Sequence, residues 1–313
     1  MDKLYQTDQL KAFPIFHLIG GSEAQRAEFI GRLREILDSC HLDVGIVSRS
    51  LPQRYELSSL ARESDLVLVE GSANCSLHKI YIGQGHELTV DDLHWPGGNI
   101  QTIEDFSEKL LEKLDIIREQ VPVWACILIG GRSSRMGEPK HLLKTTEGSD
   151  QTWVERVVRL VEPLVDGLVV SGRGELPQSL YEMQRVPDIP GVAGPLTGVL
   201  SAMRWQPAVS WLVIACDMPF ISAEAVNWLV AGRRLGCWGR VPRLVEADYC
   251  EPLFAWYDGK AAHLLEEQLL SGNLRIGNIA THLKIDTPRI PESLRSAWQN
   301  VNTPEQLRAA QQG

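Results

Sequence analysis

No run of apolar residues in this chain approaches the roughly 20 needed to cross a bilayer, so a membrane-spanning protein is not expected. The N-terminus, Met-Asp-Lys-Leu-Tyr-Gln, lacks the basic-then-apolar pattern of a secretory signal, which points to the cytoplasm. Cysteine is sparse: there are 6 in 313 residues (Cys40, Cys75, Cys126, Cys216, Cys237 and Cys250), with no close Cys-x-x-Cys pair. Several sit in apolar, strand-like contexts, so buried thiols in a reducing compartment fit better than disulfides or zinc. The 8 histidines show no ligand spacing either. Excess positive charge is also missing. The formal net charge of −9 argues against a nucleic-acid binder, whose footprint is basic. It leaves room for an anionic small substrate held by a local basic loop. There is no internal repeat and no low-complexity tract.

What is present is a soluble globular composition, 44% hydrophobic and 23% charged. The length suggests about two domains, each large enough for its own core. The first dozen residues read as a lead-in. An apolar strand from Ile15 to Ile19 ends at Gly20-Gly21, and Ser22 with Gln25 is a capping-box pattern for the helix that follows. That helix repeats apolar residues at Ala27, Ile30, Leu33 and Leu37. Val44–Val47 and Leu66–Val69 read as further strands, the alternation of a parallel α/β sheet. Trp95-Pro-Gly-Gly-Asn99 breaks the chain. Thr102 then caps an amphipathic helix carrying Ile103, Phe106, Leu110, Leu114 and Ile117. A domain boundary is expected near residue 120, giving domains of 12–120 and 121–313.

The most informative stretch runs from Ala125 to Lys144. Cys126–Ile129 is a short apolar run suited to a buried parallel strand. It stops at Gly130-Gly131, and a polar loop with Arg132, Arg135 and Lys140 follows. Glycines leaving a strand let backbone N–H groups approach phosphate oxygens, and the basic side chains add charge where a polyphosphate is negative. Two glycines alone favour an ordinary strand-to-helix turn with solvated basic residues. Beyond the loop come a helix from about Thr152 to Leu164, a strand at Leu168–Val170, Asp188, and a second glycine-rich loop, Gly191–Gly198, before a short helix. A strand from Trp211 to Ala215 runs into Cys216-Asp217-Met218-Pro219. In open α/β sheets ligands bind beyond the carboxyl ends of the strands. Gly130-Gly131, Ser171, Asp188 and Asp217 all fall there. A carboxylate beside a phosphate loop suits Mg²⁺, which takes one or two carboxylates plus phosphate oxygens. Taken alone, Asp217 fits a capping role before the helix near Ser222 equally well.

The string Leu-x-Gly-Gly-x-Ser-x-Arg-Met-Gly-x-x-Lys, spanning Leu128 to Lys140, resembles the signature loop of the MobA-like nucleotidyltransferases, and among them the molybdenum cofactor guanylyltransferases. The resemblance extends over roughly residues 122–313. Cys-Asp-Met-Pro resembles the family's Cys-Asp-x-Pro magnesium site, and Gly194-Pro-Leu-Thr-Gly198 its Gly-Pro-Leu-x-Gly loop. Glu251-Pro-Leu-Phe-Ala resembles its Gln-Pro-Leu-Phe-Ala strand, with Glu for the usual Gln. Asn300-Val-Asn-Thr-Pro-Glu305 resembles the terminal Asn-x-Asn-Thr-Pro-Glu. The resemblance implies a Rossmann-like domain that moves GMP from GTP to the terminal phosphate of molybdopterin and releases pyrophosphate. It implies nucleotide contacts from Leu128, Ile129, Gly130, Gly131 and Lys140, a nucleoside contact from Asp188, and Mg²⁺ on Asp217. Arg135, Lys140 and Asp217 are the implied catalytic groups. Ser171 stands where relatives often carry Asn, and Asn300 and Asn302 are left to face the acceptor. Thr303, Pro304 and Gln306 also form a plain N-cap, N1 proline and capping box.

The N-terminal half resembles a second family, the P-loop proteins known as molybdopterin-guanine dinucleotide biosynthesis protein B, through its strand–glycine–helix opening and Asp65-Leu-Val-Leu-Val-Glu70-Gly71. The likeness is degenerate. Gln25, Arg26 and Ala27 stand where a P-loop carries Gly, Lys and Ser/Thr, and Glu23 brings negative charge into the cradle. A scaffold or docking role is expected there, toward a recipient molybdoenzyme or its chaperone. The competing readings are a cytidylyl- or sugar-phosphate nucleotidyltransferase and a non-catalytic cofactor-delivery protein.

Overall fold

The computed structural model describes residues 13–48, 54–70, 77–89, 92–98, 100–130, 139–146, 149–244, 249–301, 303 and 305–306. The chain divides into two compact units, one of Met1–Val121 with Arg234–Gly236, the other of Pro122–Arg233 with Cys237–Gly313.

The first unit contains strands β1 (Ile15–Gly20), β2 (Val44–Ser48), β3 (Leu66–Glu70), β4 (His78–Ile82) and β5 (Leu93–Trp95), with helices α1 (Glu23–Ser39), α2 (Arg54–Glu63) and α3 (Ile100–Glu119). The sheet order is β2-β3-β1-β4-β5, and every pairing is parallel. Alternate strand residues supply the two faces. Phe16, Leu18, Leu66 and Leu68 pack with Phe29, Leu33 and Leu37 of α1 and with the buried stripe of α3. Ile15, Val67 and Val69 pack on the other face with Leu57 and Ala61 of α2. The α3 stripe is the one expected, Ile103, Phe106, Leu110, Leu114 and Ile117. The helix, however, starts at Ile100, so Thr102 lies within its first turn and is not its cap. β4 and β5 are short and carry polar residues, which is why no strand signal stands out there.

The second unit contains β6 (Val123–Leu128), α4 (Trp153–Val161), β7 (Gly167–Ser171), β8 (Arg185–Val186), α5 (Pro195–Trp205), β9 (Ser210–Ala215), α6 (Ala223–Ala231), β10 (Gly239–Arg240), β11 (Phe254–Tyr257), α7 (Ala261–Leu270) and β12 (Ile285–Asp286). The sheet order is β12-β10-β11-β9-β6-β7-β8. The run β9-β6-β7-β8 is parallel, whereas β11 is antiparallel to both β9 and β10. β6 faces two cores at once. Val123, Ala125 and Ile127 join the layer with α4 and α6, and Cys126 joins the layer with α5 and α7. Burial on both faces explains the continuous apolar run. Thr152 caps α4 in a capping box with Glu155. Val154, Val157, Val158 and Val161 are buried beneath it, each worth roughly 1.5–3 kcal/mol of transfer free energy when fully covered. A 3₁₀ turn, Glu162–Leu164, finishes the helix expected over Thr152–Leu164. α5 already begins at Pro195, so the last residues of the second glycine-rich loop are its first turn.

Candidate active site

β6 is flanked by β7 on one side and β9 on the other. The chain runs outward to β7 and β8, then returns past β6 to β9, so the strand order reverses between β6 and β9. Such a reversal opens a crevice beyond the carboxyl ends of the strands. Leu128 is in register with Ala215 on β9 and with Ser171 on β7. Gly130, Cys216-Asp217 and Gly172 therefore leave the sheet side by side. The Cys216 N–H donates to the Leu128 carbonyl (3.2 Å), and the Ile129 N–H to the Ser171 carbonyl (2.8 Å).

A cleft of about 330 Å³ occupies this crevice, lined by Leu128, Ile129, Gly130, Lys140, Ser171, Asp188, Gly194, Pro195, Gly198, Ala215, Cys216, Asp217 and Leu253. Seven of the residues anticipated from the sequence thus converge: Leu128, Ile129, Gly130, Lys140, Ser171, Asp188 and Asp217. Asn300 is not among the lining residues; its side chain hydrogen-bonds the Glu251 carboxyl. Gly131, Arg135 and Asn302 lie outside the described residues.

Backbone close approach shapes the walls. Gly130 has φ +101°. At Gly172, with φ +118°, a Cβ would stand 1.9 Å from the Ile129 carbonyl oxygen; only glycine allows the two strand ends to cross so closely. At Gly198, in the first turns of α5, a Cβ would meet Leu128 Cδ2 at 2.9 Å, Ser171 Oγ at 3.0 Å and Asp188 Oδ1 at 3.2 Å. Ser171 is fully buried and its hydroxyl donates to the Gly198 carbonyl (3.3 Å). That short side chain fastens β7 to α5, where a longer amide would need space that the helix fills. The N-terminus of α5, with Gly194 and Pro195, lines the cleft, and the positive end of a helix dipole favours an anion.

Lys140 sits on a 3₁₀ turn, Lys140–Leu142, and its Nζ lies 2.9 Å from Asp217 Oδ2. Both side chains are partly exposed to the cleft. The neighbouring His141 is buried, with Nε2 2.8 Å from the Glu175 carbonyl. Its pKa is lowered, chiefly by burial, so the ring anchors the Lys140 turn in the neutral form. Burial, with the Asp217 charge adding to it, pushes the Cys216 thiol up to about 12. Burial also raises Cys126. Neither cysteine is a thiolate nucleophile at neutral pH.

The composition of the site fits a magnesium–polyphosphate ligand. No group of three or more His, Cys, Asp or Glu side chains able to hold a metal exists among the described residues. The cleft is lined by two carboxylates, Asp188 and Asp217, together with the Lys140 ammonium. That suits a cation that takes one or two carboxylates and completes its shell with phosphate oxygens and water.

The sequence signal understated Glu251. It is only 7% exposed, and its pKa is raised to about 7 by burial and by the Asp217 charge, against hydrogen bonds from the Asn300 side chain and the Leu253 N–H. Its position in a motif was visible; its partnership with Asn300 was not.

Residues 125–280 match the family described as MobA-like NTP transferase domain, which makes the class of this protein that of an α/β nucleotidyltransferase. Over 200 residues the chain is 32% identical to a molybdenum cofactor guanylyltransferase of Rhizobium meliloti, covering 60% of this chain and 89% of the relative. Over 196 residues it is 31% identical to one from Cupriavidus taiwanensis, covering 60% and 95%. Among solved structures, the molybdopterin-guanine dinucleotide biosynthesis protein A of Archaeoglobus fulgidus superposes with a TM-score of 0.51 at 28% identity, over 60% of this chain and 97% of that one. The chain belongs to the molybdenum cofactor guanylyltransferase family.

Among the described residues no helix is long and apolar enough to cross a membrane. Cys126, Cys216 and Cys237 are buried and not disulfide-bonded, as the strand contexts suggested, while Cys40 is exposed.

Proposed function

We propose that this protein transfers GMP from GTP to the terminal phosphate of molybdopterin and releases pyrophosphate. One observation carries the reading: a phosphate-suited glycine turn, a lysine and a carboxylate meet at the point where the strand order of the sheet reverses. The amides about Gly130 and the α5 N-terminus hold the triphosphate, and Lys140 balances the charge of the leaving pyrophosphate. Asp217 would hold Mg²⁺, which when bound polarises the α-phosphate. Asp188 contacts the nucleoside. Arg135, Gly131 and Asn302 belong to the same reading on sequence grounds. Cys216 of the cleft is held as a thiol, and no side-chain nucleophile is needed. Attack by the acceptor phosphate depends on positioning and charge neutralisation. The test is incubation of the purified full chain with each NTP, Mg²⁺ and molybdopterin, measuring pyrophosphate. GTP should be used far faster than CTP or ATP, since mismatched polar groups stay buried and unpaired. Equal use of CTP would replace the reading with a cytidylyl one.

For the first unit, residues 12–120, the reading is a degenerate P-loop domain, similar to biosynthesis protein B, that serves as scaffold or docking surface for a recipient molybdoenzyme or its chaperone. Two side chains support it, Arg26 and His86. Arg26 Nη1 donates to the carbonyls of Gly20 (3.2 Å) and Gly21 (2.7 Å), and its Nε faces Glu70 at 3.5 Å. His86 covers Gly20, so that a Cβ there would lie 2.5 Å from the imidazole. A guanidinium and an imidazole of the unit itself therefore occupy the end of β1, where a phosphate cradle would open.

A further inference from the structure

We propose that Glu251 is a positioning residue for the acceptor side of the cleft: through Asn300 it holds residues 298–301 across the end of the site marked by Asp217, without itself touching nucleotide or metal. This rests on the transferase reading above, which places the acceptor beside that segment.

The segment is tied down at several points. Trp298 Nε1 donates to the Phe254 carbonyl on β11 (3.0 Å). The Val301 N–H donates to the Asp217 carbonyl (3.0 Å). The Val301 side chain is buried with Leu143 and Trp153, so it also leans on the chain just past Lys140. Between these anchors stands Asn300. Its side chain hydrogen-bonds the Glu251 carboxyl, while its Oδ1 is buried without a partner among the described residues. Glu251 is itself held on both sides. Its N–H donates to the Pro242 carbonyl (2.7 Å), and its carboxyl also accepts from the Leu253 N–H. Leu253 lines the cleft, and its carbonyl accepts from Ala215 N–H (2.7 Å), two residues before Asp217.

Glu251 is therefore the polar link between the β11 entry, the terminal segment and the Asp217 turn. A buried carboxyl earns a place beside another carboxylate only if its hydrogen bonds organise something. Here what it organises is Asn300, whose remaining amide oxygen is left to be satisfied by a bound donor. Glutamine has the same length and the same accepting oxygen, so it can hold Asn300 equally well; alanine cannot.

The experiment compares wild type, Glu251→Gln and Glu251→Ala as full chains. Steady-state assays separate KM for GTP, KM for molybdopterin and kcat. Calorimetry measures GTP·Mg²⁺ binding without acceptor, and hydrogen exchange follows the backbone of 298–301. Glu251→Ala should raise KM for molybdopterin by about tenfold, the size of one lost buried hydrogen bond, with GTP binding unchanged and faster exchange in 298–301. Glu251→Gln should restore both. A Glu251→Ala variant with unaltered exchange and acceptor KM overturns the proposal. So does weakened GTP·Mg²⁺ binding in Glu251→Gln, which would make Glu251 a charged ligand. Wild-type protein that transfers nothing to molybdopterin defeats the transferase reading instead, and the exchange comparison still decides whether Glu251 holds the segment.

Discussion

Lys140 Nζ and Asp217 Oδ2 lie 2.9 Å apart although 77 residues separate them in the chain. The ammonium pairs with the carboxylate that is expected to take Mg²⁺. Lysine and cation therefore compete for Asp217, while lysine and cation both favour the triphosphate. Lys140→Gln should leave Mg²⁺ binding without nucleotide as tight or tighter, and weaken GTP binding by about tenfold. Calorimetric titrations of each, separately, check the opposite signs.

Asp217→Asn should leave the fold intact and lower kcat/KM by at least about 100-fold, because one ionic ligand at the reacting phosphate is lost. The far-UV circular dichroism should match wild type. Activity within a few-fold of wild type at saturating magnesium would remove Asp217 from the metal site.

Gly172→Ala should be costly to the fold itself. Its Cβ would lie 1.9 Å from a backbone oxygen, at φ +118°, and neither clash can be relieved by a side-chain rotation. A loss of about 3 kcal/mol or more is expected, read as a lowered midpoint in urea denaturation. Gly191→Ala, with φ +80° but nothing within 4 Å of its Cβ, should cost less, about 1 kcal/mol.

Glu251 should make the metal-free protein less stable as pH rises toward neutrality. Its folded pKa is raised from 4.5 to about 7, so the folded state holds a proton that the unfolded state has lost. The stability this proton confers is complete below about pH 4.5 and gone above about pH 7. The size is on the order of 2–3 kcal/mol. Glu251→Gln should flatten that decline in denaturation curves measured between pH 4 and pH 8.

The full chain should bind about one equivalent of GTP, not two, because the end of β1 is occupied by Arg26 and His86 and lacks the P-loop lysine and hydroxyl. Arg26→Ala should leave the stoichiometry unchanged. A second, Mg²⁺-dependent equivalent in calorimetry would overturn the degenerate reading of the first unit.

Much of this site was legible in the sequence because the information is local. An apolar run that stops at Gly130 announces a buried strand and a turn that uses positive φ. Thr152 with Glu155 announces a helix start, and Cys216-Asp217 follows an unbroken apolar strand. Short polar strands carry no such signal, so β4 and β5 were not foreseen. The start of α3 at Ile100 passed over Thr102 because a hydroxyl in a first turn looks the same in sequence whether it caps the helix or lies inside it.

The sequence by itself determined which residues end strands, which turns need glycine, and which carboxylate and lysine are candidates for phosphate chemistry. Only the tertiary structure decided that they meet. Strand order is a property of the whole sheet: β6 pairs with both β7 and β9, which brings three strand ends to one crevice, where Lys140 and Asp188 line the same cleft as Asp217. The same holds for Glu251. Its charge is ordinary in sequence, and it becomes a half-neutral clamp only because packing removes its water and brings Asp217 and Asn300 to it.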